Sequence, residues 1–233
     1  FDYYGGGIHC RTTATVKNCI IRGNGAGTPG RDSCTFGGAI YSNGKATDIL
    51  RVENCVLAEN YAWASGGATL TEGSKIILDR CTVYKNDSRN FFGYQGGVSL
   101  ANGGKMDLLN SILWANGGDQ IGAFANPYNR GTVATVSYTL SQNGVSSGGI
   151  ESFTQGVGNL GTDPKLNNPN AGDYTLQAGS PAINAANPAL NDPDNTRADM
   201  GYQAGRRSAG FDSDGDGVND YREIYDGTNP FDP

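Results

Sequence analysis

A short pattern recurs through the first 143 residues and limits the chain to very few architectures. Gly-Gly pairs stand at 6–7, 37–38, 66–67 and 96–97, repeating every 29–31 residues. Each opens a short apolar stretch, followed by a second apolar stretch, Asn-Cys or a variant of it, and an Asn five positions past the Cys slot. A period of this length marks a solenoid, because one unit cannot bury its apolar face alone and must stack on its neighbours. Aligning the second halves puts Cys19, Cys55, Cys81, Ser111 and Tyr138 in the Cys slot, preceded by Asn18, Asn54, Arg80, Asn110 and Ser137. The Asn five positions on is Asn24, Asn60, Asn86, Asn116 and Asn143. Val16, Val52, Leu78, Leu108 and Thr135 lie three positions before the Cys slot, and Ile21, Leu57, Val83, Leu113 and Leu140 two after it. Apolar residues at period two, broken by Asn and Gly, predict short strands joined by turns.

Stacked coils place equivalent residues about 4.8 Å apart. The apolar slots then become continuous interior columns. Asn suits a repeated turn because it tolerates left-handed backbone angles, and its amide can bond along a ladder of identical neighbours. The spacing fits three short strands and three turns per coil, and the Leu consensus of leucine-rich repeats is absent.

The segment GGAIYSNGKATDILRVENCVLAEN resembles the repeats of right-handed parallel β-helix proteins. It is similar above all to secreted bacterial proteins with polymorphic outer-membrane-protein-type repeats. The resemblance covers roughly residues 5–143. It implies an all-β, right-handed parallel β-helix, a fold that carries lyases, hydrolases, adhesins and tailspikes alike. Residues 144–205 depart from the repeat. The run DPKLNNPNAGDYTLQAGSPAINAAN followed by ADMGYQ resembles the C-terminal segment that closes bacterial β-helix proteins, often labelled an uncharacterised anchor domain. The expected organisation is coils over 1–143, a final coil and cap over 144–205, and a short calcium-binding segment over 206–233.

That last segment holds the clearest chemical motif. Asp212-Ser-Asp214-Gly-Asp216-Gly217-Val218-Asn-Asp220-Tyr-Arg-Glu223 fits D-x-[DN]-x-[DN]-G-x₅-E throughout. Asp212, Asp214 and Asp216 would supply carboxylates to Ca²⁺, Val218 its backbone carbonyl, Asp220 a direct or water-mediated contact and Glu223 a closing, bidentate carboxylate. Gly217 would make the sharp turn. Acidic groups this close repel one another strongly without a cation. The preceding GRRSAGF is not helical in pattern and the exit helix stops at Asp226-Gly227, so the segment resembles single thrombospondin type 3 or dockerin-type loops rather than a paired EF-hand. The bland alternative is a solvated acidic linker.

The net charge of −6 argues against a nucleic-acid partner, which needs a basic footprint. No apolar run approaches the length of a membrane span. Glycine, 36 of 233 residues, is about twice the usual share and fits a secreted protein. The chain opens as though mid-coil, so a signal segment and further coils are expected before it. Cys19, Cys55 and Cys81 share one slot and are expected to form a buried column that packs inertly. Cys10 and Cys34 flank a long first loop, and a disulfide between them is left open.

No catalytic residue is assigned. His9, the only His, lacks the Gly-His-Gly context and Asp set of polygalacturonase-type hydrolases, and its slot, otherwise Ile40, Thr69 and Ser99, is read as outward-facing. Glu53 and Asp79 share a slot on adjacent coils beside Lys17 and Arg80. They are read either as a cation- or uronate-binding cluster or as a solvated charge pair. Tyr61, Trp63, Tyr84, Phe91, Phe92, Tyr94 and Trp114 lie in or near loops after the Asn turns, where rings either stack on sugars or pack against the coil. Asn86-Asp-Ser88 is a glycosylation sequon. The expectation is a secreted or cell-surface structural or adhesion protein with Ca²⁺ as its ligand. Extracellular polysaccharide or other surface proteins are its expected partners. The alternative is a polysaccharide lyase or glycoside hydrolase acting on an acidic polysaccharide.

Overall fold

A computed structural model describes residues 5–26, 36–88, 95–124, 127–192 and 195–203. The chain is an all-β parallel solenoid, as the repeat predicts. Its first sheet stacks Ile8–Cys10, Ile40–Ser42, Thr69–Glu72, Val98–Ala101 and Ile121–Ala123. The second stacks Ala14–Lys17, Ile49–Glu53, Lys75–Asp79, Lys105–Leu109, Val133–Ser137 and Ser152–Gln155. The third stacks Ile20–Arg22, Val56–Ala58, Thr82–Tyr84, Ile112–Trp114 and Leu140–Ser141. All pairings within these sheets are parallel.

Alternation decides which side chains point inward. In the second sheet, Leu50 and Val52, Ile76 and Leu78, and Met106 and Leu108 are buried, while Arg51 between the first pair is exposed. Together with Leu57, Val83 and Leu113 from the third sheet and Ile40, Val98 and Leu100 from the first, they form one continuous core. The Gly-Gly corners let adjacent coils touch. Gly66 has φ +69°, which an L side chain rarely adopts, and a Cβ on Gly67 would stand 2.5 Å from the Asp87 carbonyl oxygen of the next coil, so neither position readily admits a side chain.

The expected Asn ladder is present and runs in one direction. Asn24 Nδ2 donates to Asn60 Oδ1 at 3.0 Å, Asn60 Nδ2 to Asn86 Oδ1 at 2.9 Å, and Asn86 Nδ2 to Asn116 Oδ1 at 2.8 Å. Each of these oxygens also accepts the backbone N–H of the preceding Asn, at 3.0 Å. The second amide proton goes to a carbonyl one coil back, Ile21 from Asn60 and Leu57 from Asn86. The ladder ends on Gln120, whose Oε1 takes Asn116 Nδ2 at 2.7 Å. Asn86 is fully buried, so its sequon has no accessible acceptor in the folded protein.

The fifth row of the sequence alignment is one residue out of register. Leu109 pairs with Ser137 and Ile112 with Leu140, which puts Thr139, not Tyr138, in the Cys slot. Tyr138, at φ 49°, takes the left-handed turn position of Asn18, Asn54, Arg80 and Asn110. Val136 replaces Thr135 and Ser141 replaces Leu140 in the interior columns. Asn143 falls outside the ladder. The reason is that Tyr138 supplies by its backbone what Asn supplies elsewhere, so the most visible residue of the motif is missing from that coil.

Residues 163–192 and 195–203 run back along the side of the solenoid as a strap over the outer face of the third sheet. Val56, Ala58, Tyr84, Ile112 and Leu140 of that face form a second apolar cluster with Leu166, Tyr174, Ala182, Ala186, Ala198 and Met200 of the strap. An antiparallel pair, Leu166–Asn168 with Asp173–Leu176, and a 3₁₀ turn at Pro169–Ala171 stiffen its first part. Polar anchors fall on successive coils. Arg22 Nη2 donates to the Asn170 carbonyl at 3.0 Å and Lys85 Nζ to Asn170 Oδ1 at 3.1 Å. The Gln203 N–H donates to Asn54 Oδ1, Tyr202 N–H to Thr82 Oγ1, and Asn187 N–H to Asn110 Oδ1.

Candidate functional site

Among the described residues, three surfaces hold most of the side chains singled out in the sequence. The second sheet carries Lys17, Glu53 and Asp79 in one outward column on adjacent rungs. Lys17 Nζ lies 2.7 Å from Glu53 Oε2. Asp79 Oδ1 accepts Asn110 Nδ2 at 2.8 Å, and Arg80 Nε is 3.5 Å from Asp79 Oδ2. The structure thus brings the cluster together, with each carboxylate held by a protein group. Lys75 and Asp107 add a further ion pair at 2.5 Å on the same face. Exposed pairs of this kind contribute about 0–1 kcal/mol each.

Behind this face stand the cysteines. Cys55 and Cys81 are buried as expected, but Cys19 is exposed and so does not join the expected buried column; these three and Cys10 are free thiols. Burial pushes the Cys55 thiol up to about 11 and the Cys81 thiol higher still. Both stay neutral and donate to backbone carbonyls, Cys81 to Val52 at 3.3 Å. Cys10 donates to the Thr12 carbonyl. Cys34 lies outside the described residues.

His9 is exposed on the outer face of the first sheet, but in the column of Tyr41, Leu70 and Ser99. Ile40 and Thr69 instead continue the inward column of Ile8, so the sequence alignment mixed two faces. His9 Nε2 lies 2.9 Å from Asn43 Oδ1 and its ring packs 5.1 Å from Tyr41. Tyr41 and Leu70 are buried with Ala101, Phe36 and Phe124 in a third apolar cluster.

The third sheet presents a cavity the sequence reasoning missed. Tyr84 and Trp114 occupy the same outward slot on adjacent rungs. Where the strap passes over them, a cavity of about 200 Å³ remains, with Asp163, Lys165 and Gln177 at its rim. Asp163 Oδ1 accepts the Lys165 N–H at 2.8 Å, Lys165 Nζ donates to the Gly179 carbonyl at 3.1 Å, and Gln177 Nε2 donates to the Leu166 carbonyl at 2.8 Å. Burial, then the nearby Glu59 carboxylate, raises the Tyr84 phenol, so it remains protonated. One signal was present in the sequence. Ile112-Leu113-Trp114 and Val56-Leu57-Ala58 are apolar at successive positions, as strands covered on both faces are. Phe91, Phe92 and Tyr94 lie outside the described residues.

Nearby, Glu59 organises the strap's first anchor. Arg22 Nε lies 2.8 Å from Glu59 Oε2 and Lys85 Nζ 3.6 Å from Glu59 Oε1. The Arg22 hydrogen bond is the largest influence holding the Glu59 carboxyl below the ordinary carboxylate range, with both positive charges adding to it against partial burial.

The calcium residues Asp212, Asp214, Asp216, Val218, Asp220 and Glu223 lie outside the described residues. Their donor set, five carboxylates and a backbone carbonyl, is all oxygen and suits a hard divalent cation. Among the described residues, no group of three or more His, Cys, Asp or Glu side chains is placed to hold a metal, and no helix is long and apolar enough to cross a membrane. Comparison with family models matches residues 212–233 to the Bacterial TSP3 repeat. Neither the curated proteins nor the solved structures gave a match. The chain therefore joins a β-solenoid to a segment similar to a bacterial TSP3 repeat.

Proposed function

We propose that this chain is a non-catalytic module of a secreted or cell-surface protein. In this reading the solenoid is a rigid support, the C-terminal loop is stabilised by Ca²⁺, and the outer faces meet extracellular polysaccharide or other surface proteins. The observation that carries the reading is the match to the Bacterial TSP3 repeat over residues 212–233, which coincides with a complete oxygen-donor loop. Asp212, Asp214, Asp216, Val218, Asp220 and Glu223 are the proposed ligands. Extracellular calcium modules work at dissociation constants on the order of 10⁻⁴–10⁻³ M, a range matched to calcium outside cells.

Calorimetric titration of the intact chain with CaCl₂ tests this. One site of that affinity is expected, abolished by Glu223→Gln, which removes the closing carboxylate. No heat up to millimolar calcium, or identical heat from the variant, would refute it.

A further inference from the structure

The cavity between the third sheet and the strap has the chemistry of a carbohydrate subsite. Its floor is two aromatic rings on adjacent rungs, Tyr84 and Trp114. Aromatic faces attract the C–H face of a pyranose, which is apolar on one side and carries hydroxyls around its rim. The rim of the cavity answers the hydroxyls. Among the described residues, Asp163 Oδ2 and Gln177 Oε1 make no hydrogen bond, and Lys165 Nζ spends one proton on Gly179. The Tyr84 hydroxyl, which stays protonated, adds a donor beside the floor.

Size limits the occupant. About 200 Å³ is below the roughly 300–1,000 Å³ of sites for drug-sized ligands, so the cavity takes a single ring. Charge narrows the class further. Asp163 and Lys165, of opposite sign, both line the cavity, so the rim offers no net attraction to an anion, and the second carboxylate oxygen is best used as an acceptor for sugar hydroxyls. The same residues hold the strap's turn in place, since Asp163 Oδ1 accepts the Lys165 N–H and the Gln177 N–H donates to the Lys165 carbonyl. The acceptors are therefore fixed before a ligand arrives, which reduces the ordering cost of binding.

We propose that this cavity binds one neutral hexose residue of an extracellular glycan, with Trp114 and Tyr84 as the stacking platform and Asp163 and Gln177 as hydroxyl acceptors. The proposal deepens the reading of the chain as a glycan-contacting surface module and rests on it.

The test is a two-dimensional NMR titration of the intact chain with the methyl glycosides of glucose, galactose and mannose, with methyl galacturonide and a prolyl peptide as controls. The Trp114 indole N–H signal is expected to shift with at least one neutral glycoside, with a dissociation constant on the order of 1 mM, while the Trp63 signal stays still. Asp163→Asn, an exposed change that keeps the Oδ1 acceptor, is expected to weaken binding about tenfold. Trp114→Phe is expected to weaken it less than Trp114→Ala. No Trp114 shift with any neutral glycoside, a shift with the uronide or peptide alone, or unchanged affinity in Asp163→Asn would overturn the subsite. The two failures separate cleanly. Methyl-glycoside affinity that survives Asp163→Asn sinks this site and leaves the module reading intact, whereas absent calcium binding sinks that reading without touching the cavity.

Discussion

Replacing Asn86 by Ala tests whether the Asn ladder holds the coils together. Asn86 is fully buried at the centre of the ladder. Its Oδ1 accepts both the Asn60 N–H at 3.0 Å and Asn60 Nδ2 at 2.9 Å, and its Nδ2 donates to the Leu57 carbonyl and Asn116 Oδ1, each at 2.8 Å. Truncation leaves the Asn60 N–H without an acceptor. The neighbours keep partial compensation, since Asn60 Nδ2 still reaches the Ile21 carbonyl and Asn116 Oδ1 still accepts the Asn86 N–H. An orphaned buried group costs about 1–3 kcal/mol, so two to three such losses plus the small void amount to ~3–5 kcal/mol. Asn24→Ala removes the same atoms at the end of the ladder. There Asn60 Oδ1 retains the Asn24 N–H, the site is only partly buried, and the expected cost is about 1 kcal/mol. Asn86→Asp is expected to cost at least as much as Asn86→Ala, because a carboxylate would face three acceptors, Leu57 O, Tyr84 O and Asn116 Oδ1. Urea denaturation followed by circular dichroism gives the stabilities, and amide exchange at Asn60 reports the orphaned donor directly. Equal losses at Asn86 and Asn24, or a milder effect of Asp than of Ala at position 86, would refute the argument.

Other consequences are equally direct. Glu59 has a depressed folded pKa, so its contribution is complete above the ordinary carboxylate pKa of about 4.3 and is lost as pH falls through the lower folded value. Amide exchange over residues 163–177 should therefore accelerate below about pH 4, less steeply in Glu59→Gln, and a loss already complete at pH 6 would contradict this. Thiol labelling of the native protein at pH 8 should modify Cys19 and spare Cys55 and Cys81 until urea unfolds the coils, given the burial of both and a Cys55 thiol at about 11. Gly201 has φ +89° and a Cβ there would stand 2.6 Å from Ile112 Cδ1, so Gly201→Ala should release the end of the strap and expose the Tyr202 amide to exchange, with at least ~1–2 kcal/mol lost.

The solenoid was legible because its causes are local and periodic. Leu78 and Leu108 recur in one slot because one core column needs them, and Asn60, Asn86 and Asn116 recur because one ladder does. Legibility failed where backbone geometry replaced side-chain identity. Tyr138 adopts the turn conformation of Asn110 without resembling it, and the alignment slipped by one residue there. Around His9 the Gly-Gly signal located the strand without fixing its parity, and two faces were merged. The strap's placement was harder still. Asp163 and Gln177 meet Trp114 only because the chain doubles back along the stack, a contact between distant residues that no repeat encodes. The acidic loop at 212–223 lies outside the described residues, and the likeness to a Bacterial TSP3 repeat was legible there because such a motif is written in consecutive residues.

Coils bonded only to their neighbours fray from the ends, each loss nearly independent of the rest. The strap changes that arithmetic by tying rungs that are not adjacent, from Arg22 on the first coil to Asn110 on the fourth. Thinning one coil then slackens the tether on the others, and unfolding becomes more nearly all-or-none. It also fixes where tension enters. A pull on the C-terminal tail reaches the Gln203–Asn54 and Tyr202–Thr82 bonds before any core column. Under such a pull those bonds are expected to give way before the stacked sheets.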